Sequence, residues 1–288
     1  MSTRTVPYDA TRDALFRPHL ATGFFPRTEN LGDDLLCAEC SLLVYKRFES
    51  FPEEEREARG ALQSVGFDEV ASFNRDGSQA FAAWNPHSQT AVVAFRGTEQ
   101  EDPTDMAHDL EAFSRPWPKG GKVHEGFKAD LDLIWAELDP WIQAHPGRLL
   151  LTGHSLGAAL GILAASLRNP AKLVLFGAPR VGDSDFVKTL SEVDISRYMD
   201  CCDIVTRLPP PFVHLGYVHV KEGNPVYIDR LGEIKTGATE DFIDEDCGKA
   251  RGRYLLDYTW RRGTAAVRDL ADHAPINYVY ALRHQAAP

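Results

Sequence analysis

From Leu149 to Leu167 the chain runs for nineteen residues, LLLTGHSLGAALGILAASL, without an Asp, Glu, Lys or Arg. Few folded environments accept so long an uncharged segment. It can cross a bilayer, or it can sit in the middle of a covered core. Gly153, His154, Ser155, Gly157, Gly161 and Ser166 interrupt the apolar run, which argues against a spanning helix. The segment reads instead as a buried strand, a sharp turn and a buried helix.

The surrounding sequence alternates in the same way. Thr90–Thr98 (TAVVAFRGT), Arg148–Gly153 (RLLLTG) and Lys172–Pro179 (KLVLFGAP) are short apolar runs, and Ser196–Pro209 contains a fourth. Between them lie helical patterns. Phe127–His145 repeats apolar residues at Leu131, Ile134, Trp135 and Leu138, and Leu156–Arg168 is built of small and aliphatic residues. Continuous apolar strands separated by helices predict an α/β fold with a mostly parallel central sheet flanked by helices on both faces. Val226–Thr236 reads as a hairpin at an edge. No repeat, low-complexity linker or composition break divides the chain, so residues 1–288 read as a single domain.

Composition narrows the function classes. With 43% hydrophobic and 25% charged residues, the 288-residue chain can bury a sizeable core and is not disordered. Its 31 basic and 42 acidic residues give a net charge of −11, which opposes nucleic-acid binding and attraction to an anionic membrane surface. The five cysteines form no disulfide framework. Cys37 and Cys40 make a C-x-x-C, but they sit in LLCAECSLLVYKRF, a helix with an apolar face, and read as reduced core residues. Together with a start that lacks the uninterrupted apolar core of a secretory signal, the unpaired thiols predict a cytoplasmic protein. The acidic stretches Glu53–Glu57 and Glu240–Asp246 lack the spacing of a calcium loop and read as solvated faces.

Chemistry concentrates at GHSLG, Gly153–Gly157. Between a strand and a helix of small residues, G-x-S-x-G is the pattern of a nucleophile elbow. The turn requires a strained serine and small flanking residues, so that strand and helix can approach. It places the Ser155 hydroxyl at a helix N-terminus, whose partial positive charge favours a developing anion. A serine needs a base, and the base needs an orienting acid. The chain order for such elbows is Ser, then Asp or Glu, then His. Asp203, which ends the strand in YMDCCDIVTRLPP and precedes a proline-rich loop, is the favoured acid. Asp200 is its rival, and Asp183 and Asp185 are weaker. Of the later histidines, His214 and His219 lie in the strand-like FVHLGYVHV and read as packed residues. His273 stands on a loop before Pro275 and the helix INYVYALR, and is the favoured base. His284 also follows Asp203. His154 faces away from the elbow and reads as structural. An oxyanion would be held by the backbone N–H of Leu156 and by Thr98 at the end of VVAFRGT.

Taken in order, AVVAFRGT, KVHEGF, LLLTGHSLGAAL, LVLFGAPRVGD, DIVTRLPP and ADHAPINYVYAL resemble the class 3 lipases, the fungal-type triacylglycerol lipase family with the α/β-hydrolase fold. The likeness runs from Thr90 to Leu282. It implies a serine ester hydrolase acting on acylglycerols or related fatty-acyl esters. The triad would be Ser155, Asp203 and His273, with Thr98 and Leu156 as oxyanion donors. No metal or organic cofactor is implied, nor an obligate protein partner. The implied partners are an acyl ester or lipid substrate and transient contact with a lipid interface. His219 falls on a strand histidine of the family that is not catalytic. A helical lid would occupy Glu99–Phe113, with Met106, Leu110 and Phe113 at helical spacing toward the site. Here the sequence departs from the pattern. Met106 and Ala107 replace bulkier apolar residues, and Glu101, Asp102, Asp105, Asp109 and Glu111 make the segment anionic. Short or soluble esters are therefore an alternative substrate class, phospholipase A1 activity is another, and a non-catalytic lipid-binding protein on the same fold is a third reading.

Overall fold

The protein is described from a computed structural model covering residues 5–26, 31–97, 113–210 and 216–287. Its frame is an eight-stranded sheet. The strands are β1 (Glu69–Arg75), β2 (Ser78–Asn85), β3 (Thr90–Phe95), β6 (Arg148–His154), β7 (Lys172–Phe176), β9 (Ile195–Asp200), β11 (Val226–Ile228) and β12 (Ile234–Lys235). They lie in the order β1-β2-β3-β6-β7-β9-β11-β12. The five from β3 to β11 run parallel, while β1, β2 and β12 attach as antiparallel edges. The hairpin at Val226–Thr236 is the β11–β12 edge. A second, four-stranded sheet is formed by β4 (Ser114–Pro116), β5 (Lys122–His124), β8 (Gly182–Asp183) and β10 (Tyr217–Val218).

Side chains on successive strand positions point to opposite faces, and the central strands are apolar on both. Val93, Phe95, Leu151, Leu173 and Leu175 join one core cluster. Val92, Ala94, Leu150, Val174 and Phe176 join another. Each face therefore needs its own helical cover. The longer helices are α1 (Asp33–Leu43), α2 (Pro52–Ser64), α3 (Glu125–Ala144), α4 (Leu156–Arg168), α5 (Glu240–Asp257) and α6 (Pro275–Gln285). Helices α3 and α4 supply Leu131, Ile134, Leu138, Leu160 and Leu163 to the first cluster. Helices α1, α2 and α6 supply Leu36, Leu43, Leu62, Val279 and Leu282 to the second. The uncharged run at Leu149–Leu167 is thus β6, a turn and α4, sealed between these layers. Among the described residues, no helix is long and apolar enough to cross a membrane.

Two details differ from the sequence reading. Asp203 does not end a strand: β9 stops at Asp200, and Asp203 lies in the turn beyond it. Asp246 is not a solvated acid. It is buried, and its carboxylate accepts from Tyr227 Oη at 3.0 Å and from the Arg230 backbone N–H at 2.7 Å. Helix α5 lies over the sheet edge here, so one acid of the Glu240–Asp246 run must face inward.

Candidate active site

Strand β6 delivers Ser155 to the start of α4 with φ +60° and ψ −127°. This conformation is rare for any residue with a side chain and costs about 1–3 kcal/mol. The flanking glycines make it accessible. A Cβ at Gly157 would lie 2.1 Å from the Phe95 carbonyl oxygen, and one at Gly153 would lie 2.3 Å from the Gly157 carbonyl. The Ser155 N–H donates to the Phe176 carbonyl at 3.0 Å, which ties the turn to the neighbouring strand. Because α4 starts at Leu156, the Leu156 N–H is a first-turn donor with no acceptor within the helix. Thr98 lies outside the described residues.

The Ser155 hydroxyl meets His273, whose Nε2 lies 2.9 Å from Oγ. Behind the imidazole, Nδ1 is 2.9 Å from both carboxylate oxygens of Asp203. All three residues are buried. The network settles the direction of each proton. Asp203 Oδ1 accepts from the Val205 N–H at 2.9 Å. The Tyr278 hydroxyl accepts from the Asp200 N–H at 3.1 Å, so its own proton goes to Asp203 Oδ2 at 2.5 Å. Burial, and then the charges of Asp203 and Asp200, push the Tyr278 phenol well above its ordinary range, so it remains a donor. With both carboxylate oxygens accepting, His273 must donate from Nδ1. That leaves Nε2 to receive the serine proton. Gly177, at φ +58°, makes room for this pair, since a Cβ there would lie 2.7 Å from Asp203 Oδ2 and 3.1 Å from the His273 ring.

A second imidazole lies against the first. The rings of His154 and His273 are 4.5 Å apart. His154 Nε2 donates to the His273 carbonyl at 2.8 Å, so Nδ1 accepts the Tyr45 hydroxyl at 2.8 Å. Burial, reinforced by neighbouring His273, holds His154 well below the usual histidine range. It is a neutral strut that fixes the loop carrying His273. On the other side of that loop, buried Asp272 accepts from Arg268 Nε at 2.8 Å, the Tyr8 hydroxyl at 2.9 Å and the Cys202 N–H at 3.0 Å.

The remaining candidates separate clearly. His219 is buried with Nε2 donating to the Thr206 carbonyl at 2.7 Å; burial and the nearby Arg197 and Arg180 keep it well below the usual histidine range. Asp200 serves Tyr278 through its backbone. Asp183 caps a short helix by accepting from the Phe186 N–H at 2.9 Å, and Asp185 pairs with Lys188 at the surface. His214, Met106 and Leu110 lie outside the described residues. Phe113 is 78% exposed. Tyr45, Tyr278, Asp272 and Arg268 carry no local motif, and the sequence reading missed their part in the site. A signal existed only for Tyr278, which lies one helical turn beyond the Pro275 that follows His273.

Residues 92–213 match the family model described as Lipase (class 3). The chain is 32% identical over 234 residues to the secreted mono- and diacylglycerol lipase A of Penicillium camembertii, an alignment covering 76% of this chain and 70% of that protein. It is 34% identical over 159 residues to the secreted mono- and diacylglycerol lipase MDL3 of Malassezia globosa, covering 46% of this chain. The chain spans about half (51%) of the length of that relative. The solved structure of the Rhizomucor miehei triacylglyceride lipase superposes with a TM-score of 0.54 at 23% identity, covering 83% of this chain and 94% of that one. It shares the fold. The expectation of a cytoplasmic location is corrected by these relatives, which are named as secreted enzymes. The thiols misled because a buried free cysteine behaves as a small apolar residue and does not mark a compartment. All five cysteines here are buried.

Proposed function

Because the chain belongs to the class 3 lipase family, we propose that it hydrolyses carboxylic esters of acylglycerols through an acyl-enzyme on Ser155. The observation that carries this reading is the contact of His273 Nε2 with Ser155 Oγ at 2.9 Å, with Asp203 2.9 Å behind Nδ1. His273 takes the hydroxyl proton as Oγ attacks the acyl carbon. The imidazolium so formed is stabilised by Asp203 and gives its proton to the departing alcohol. Water, activated by the same histidine, then releases the fatty acid and restores the serine.

The tetrahedral oxyanion is assigned to the Leu156 N–H and to Thr98. Loss of one such donor raises the barrier by about 2.7–4 kcal/mol. Residues 99–113, with Met106, Leu110 and Phe113, are proposed as the lid segment. The whole chain acts as one domain that meets its substrate at a lipid–water interface. The names of the Penicillium and Malassezia relatives favour mono- and diacylglycerols over triacylglycerols.

The test is fatty-acid release from mono-, di- and triolein emulsions, together with a p-nitrophenyl ester series of graded chain length. The reading expects turnover of mono- and diolein above triolein, abolished in Ser155→Ala. Faster release from phospholipid vesicles would make it a phospholipase. Turnover retained in Ser155→Ala would remove the mechanism.

A further inference from the structure

Two adjacent cysteines and a third 45 residues further along the chain converge beside the active site. Cys201 and Cys202 form the turn between β9 and Asp203, and Cys247 comes from α5. Their sulfurs all lie within 4.8 Å of one another, and the Cys201 and Cys202 sulfurs are 3.6 Å apart. All three are at most 1% exposed. Three thiolates around one ion at about 2.3 Å stand about 4 Å from each other when coplanar, so the cluster needs only small side-chain rotations to close.

We propose that Cys201, Cys202 and Cys247 form a three-coordinate site for a soft, thiophilic cation, with Cu(I) as the fitting ion. Softness follows from three sulfur donors. Three-coordination follows from the surroundings. The oxygens nearest the sulfurs are already engaged: the Cys247 carbonyl, 3.4 Å from Cys202 Sγ, belongs to the backbone of α5, the Tyr227 hydroxyl, 3.5 Å from Cys201 Sγ, donates to Asp246, and Asp246 Oδ2, 3.7 Å from Cys201 Sγ, accepts from Tyr227 and Arg230. An ion that demands a fourth ligand, such as Zn(II), is therefore poorly served. A guanidinium also faces the cluster, with Arg207 Nη2 3.8 Å from Cys247 Sγ, and it favours the thiolate form there. Binding forms three Cu–S bonds and releases three thiol protons to solvent, with no change in oxidation state.

The ion would fasten α5 to the turn that precedes Asp203. The same turn is held through the Cys202 N–H to Asp272, the neighbour of His273. It is a structural site next to the catalytic one and takes no part in the ester chemistry.

The experiment titrates the reduced full-length chain anaerobically with Cu(I) in competition with bathocuproine disulfonate. The expected result is one Cu(I) retained per chain and a rise in melting temperature. Cys247→Ser should weaken retention at least tenfold and remove the thermal shift. Cys37→Ser/Cys40→Ser should leave both unchanged. Cys202→Ala provides a second single-ligand deletion should Cys247→Ser fold poorly. No retention against the chelator, equal retention in both single-ligand variants, or dependence on Cys37 and Cys40 would each overturn the proposal. So would a disulfide within the trio that resists mild reductant in the purified protein.

Discussion

The two halves of the catalytic contact are held in opposite ways. Ser155 is fixed by backbone. Five consecutive residues, two of them glycines with no space for a Cβ, force the hydroxyl onto a bend between β6 and α4. His273 is fixed by side chains from distant parts of the chain. Asp203 is 70 residues away, and His154 is 119 residues away and holds the His273 carbonyl. Tyr8, from the N-terminal segment, holds Asp272. A local steric device tolerates no change in its own residues and little depends on its surroundings. A network of hydrogen bonds can lose one member and keep its shape, so its failures should be graded.

The largest effects come from removing the reacting groups. Ser155→Ala and His273→Ala should each lower ester turnover by about 10⁴-fold or more, with melting temperatures close to that of the parent. If His219→Ala had the larger effect on turnover, the assignment of the base would be wrong. Asp203→Asn should fall just short of these, at roughly 10³–10⁴-fold, because it favours the wrong tautomer of His273.

Gly157→Ala sharpens the contrast from the serine side. Its methyl would meet the Phe95 carbonyl at 2.1 Å, so we expect a stability loss of about 3 kcal/mol or more, measured by urea unfolding. A soluble variant with parental stability would show that the elbow is not sterically determined. From the histidine side, Tyr278→Phe removes one of the donors to Asp203. It should reduce kcat about tenfold and stability by about 1–2 kcal/mol, leaving KM unchanged. An effect as large as that of Asp203→Asn would mean the network has no redundancy.

The smallest effect is on pH dependence. His154 and His219 are both depressed by burial, while the unfolded chain titrates near the ordinary value of about 6.5. Below that value the unfolded chain binds protons that the native protein refuses. The stability they contribute is therefore present above about pH 6.5 and is lost as the pH falls below it. Each histidine contributes a slope of at most about 1.4 kcal/mol per pH unit. His219→Gln should flatten the stability profile between pH 7 and pH 5 by one histidine's share. An unchanged slope would contradict the account of its burial.

How much of this was legible in the sequence follows the same division. The parallel core could be read because strands buried on both faces are continuously apolar, as in LLLT and LVLF. The elbow could be read because its steric demands fall on adjacent residues. His273 and Asp203 could be named only through chain order and element context. The supporting set of Tyr45, Tyr278, Asp272 and Arg268 was not legible, since a buried tyrosine or aspartate has the same local signature whatever it touches. Strands β1 and β2 escaped notice for a related reason. EVASFNR buries only Phe73 and so shows no alternating apolar face, and Ala-rich SQAFAAWN has low strand propensity. They are strands because the β3 edge recruits them. The inward turn of Asp246 depends on Arg230 and Tyr227, which no spacing rule connects.

The central claim is that His273 makes one particular serine nucleophilic. It is tested most directly by reacting the folded protein with a fluorophosphonate probe and mapping the adduct by peptide mass spectrometry. The account predicts one equivalent of label per chain, on the peptide containing Ser155, formed far more slowly in His273→Ala. Absence of label on the folded protein, label on another serine, or labelling of Ser155 at an unchanged rate without His273 would contradict it.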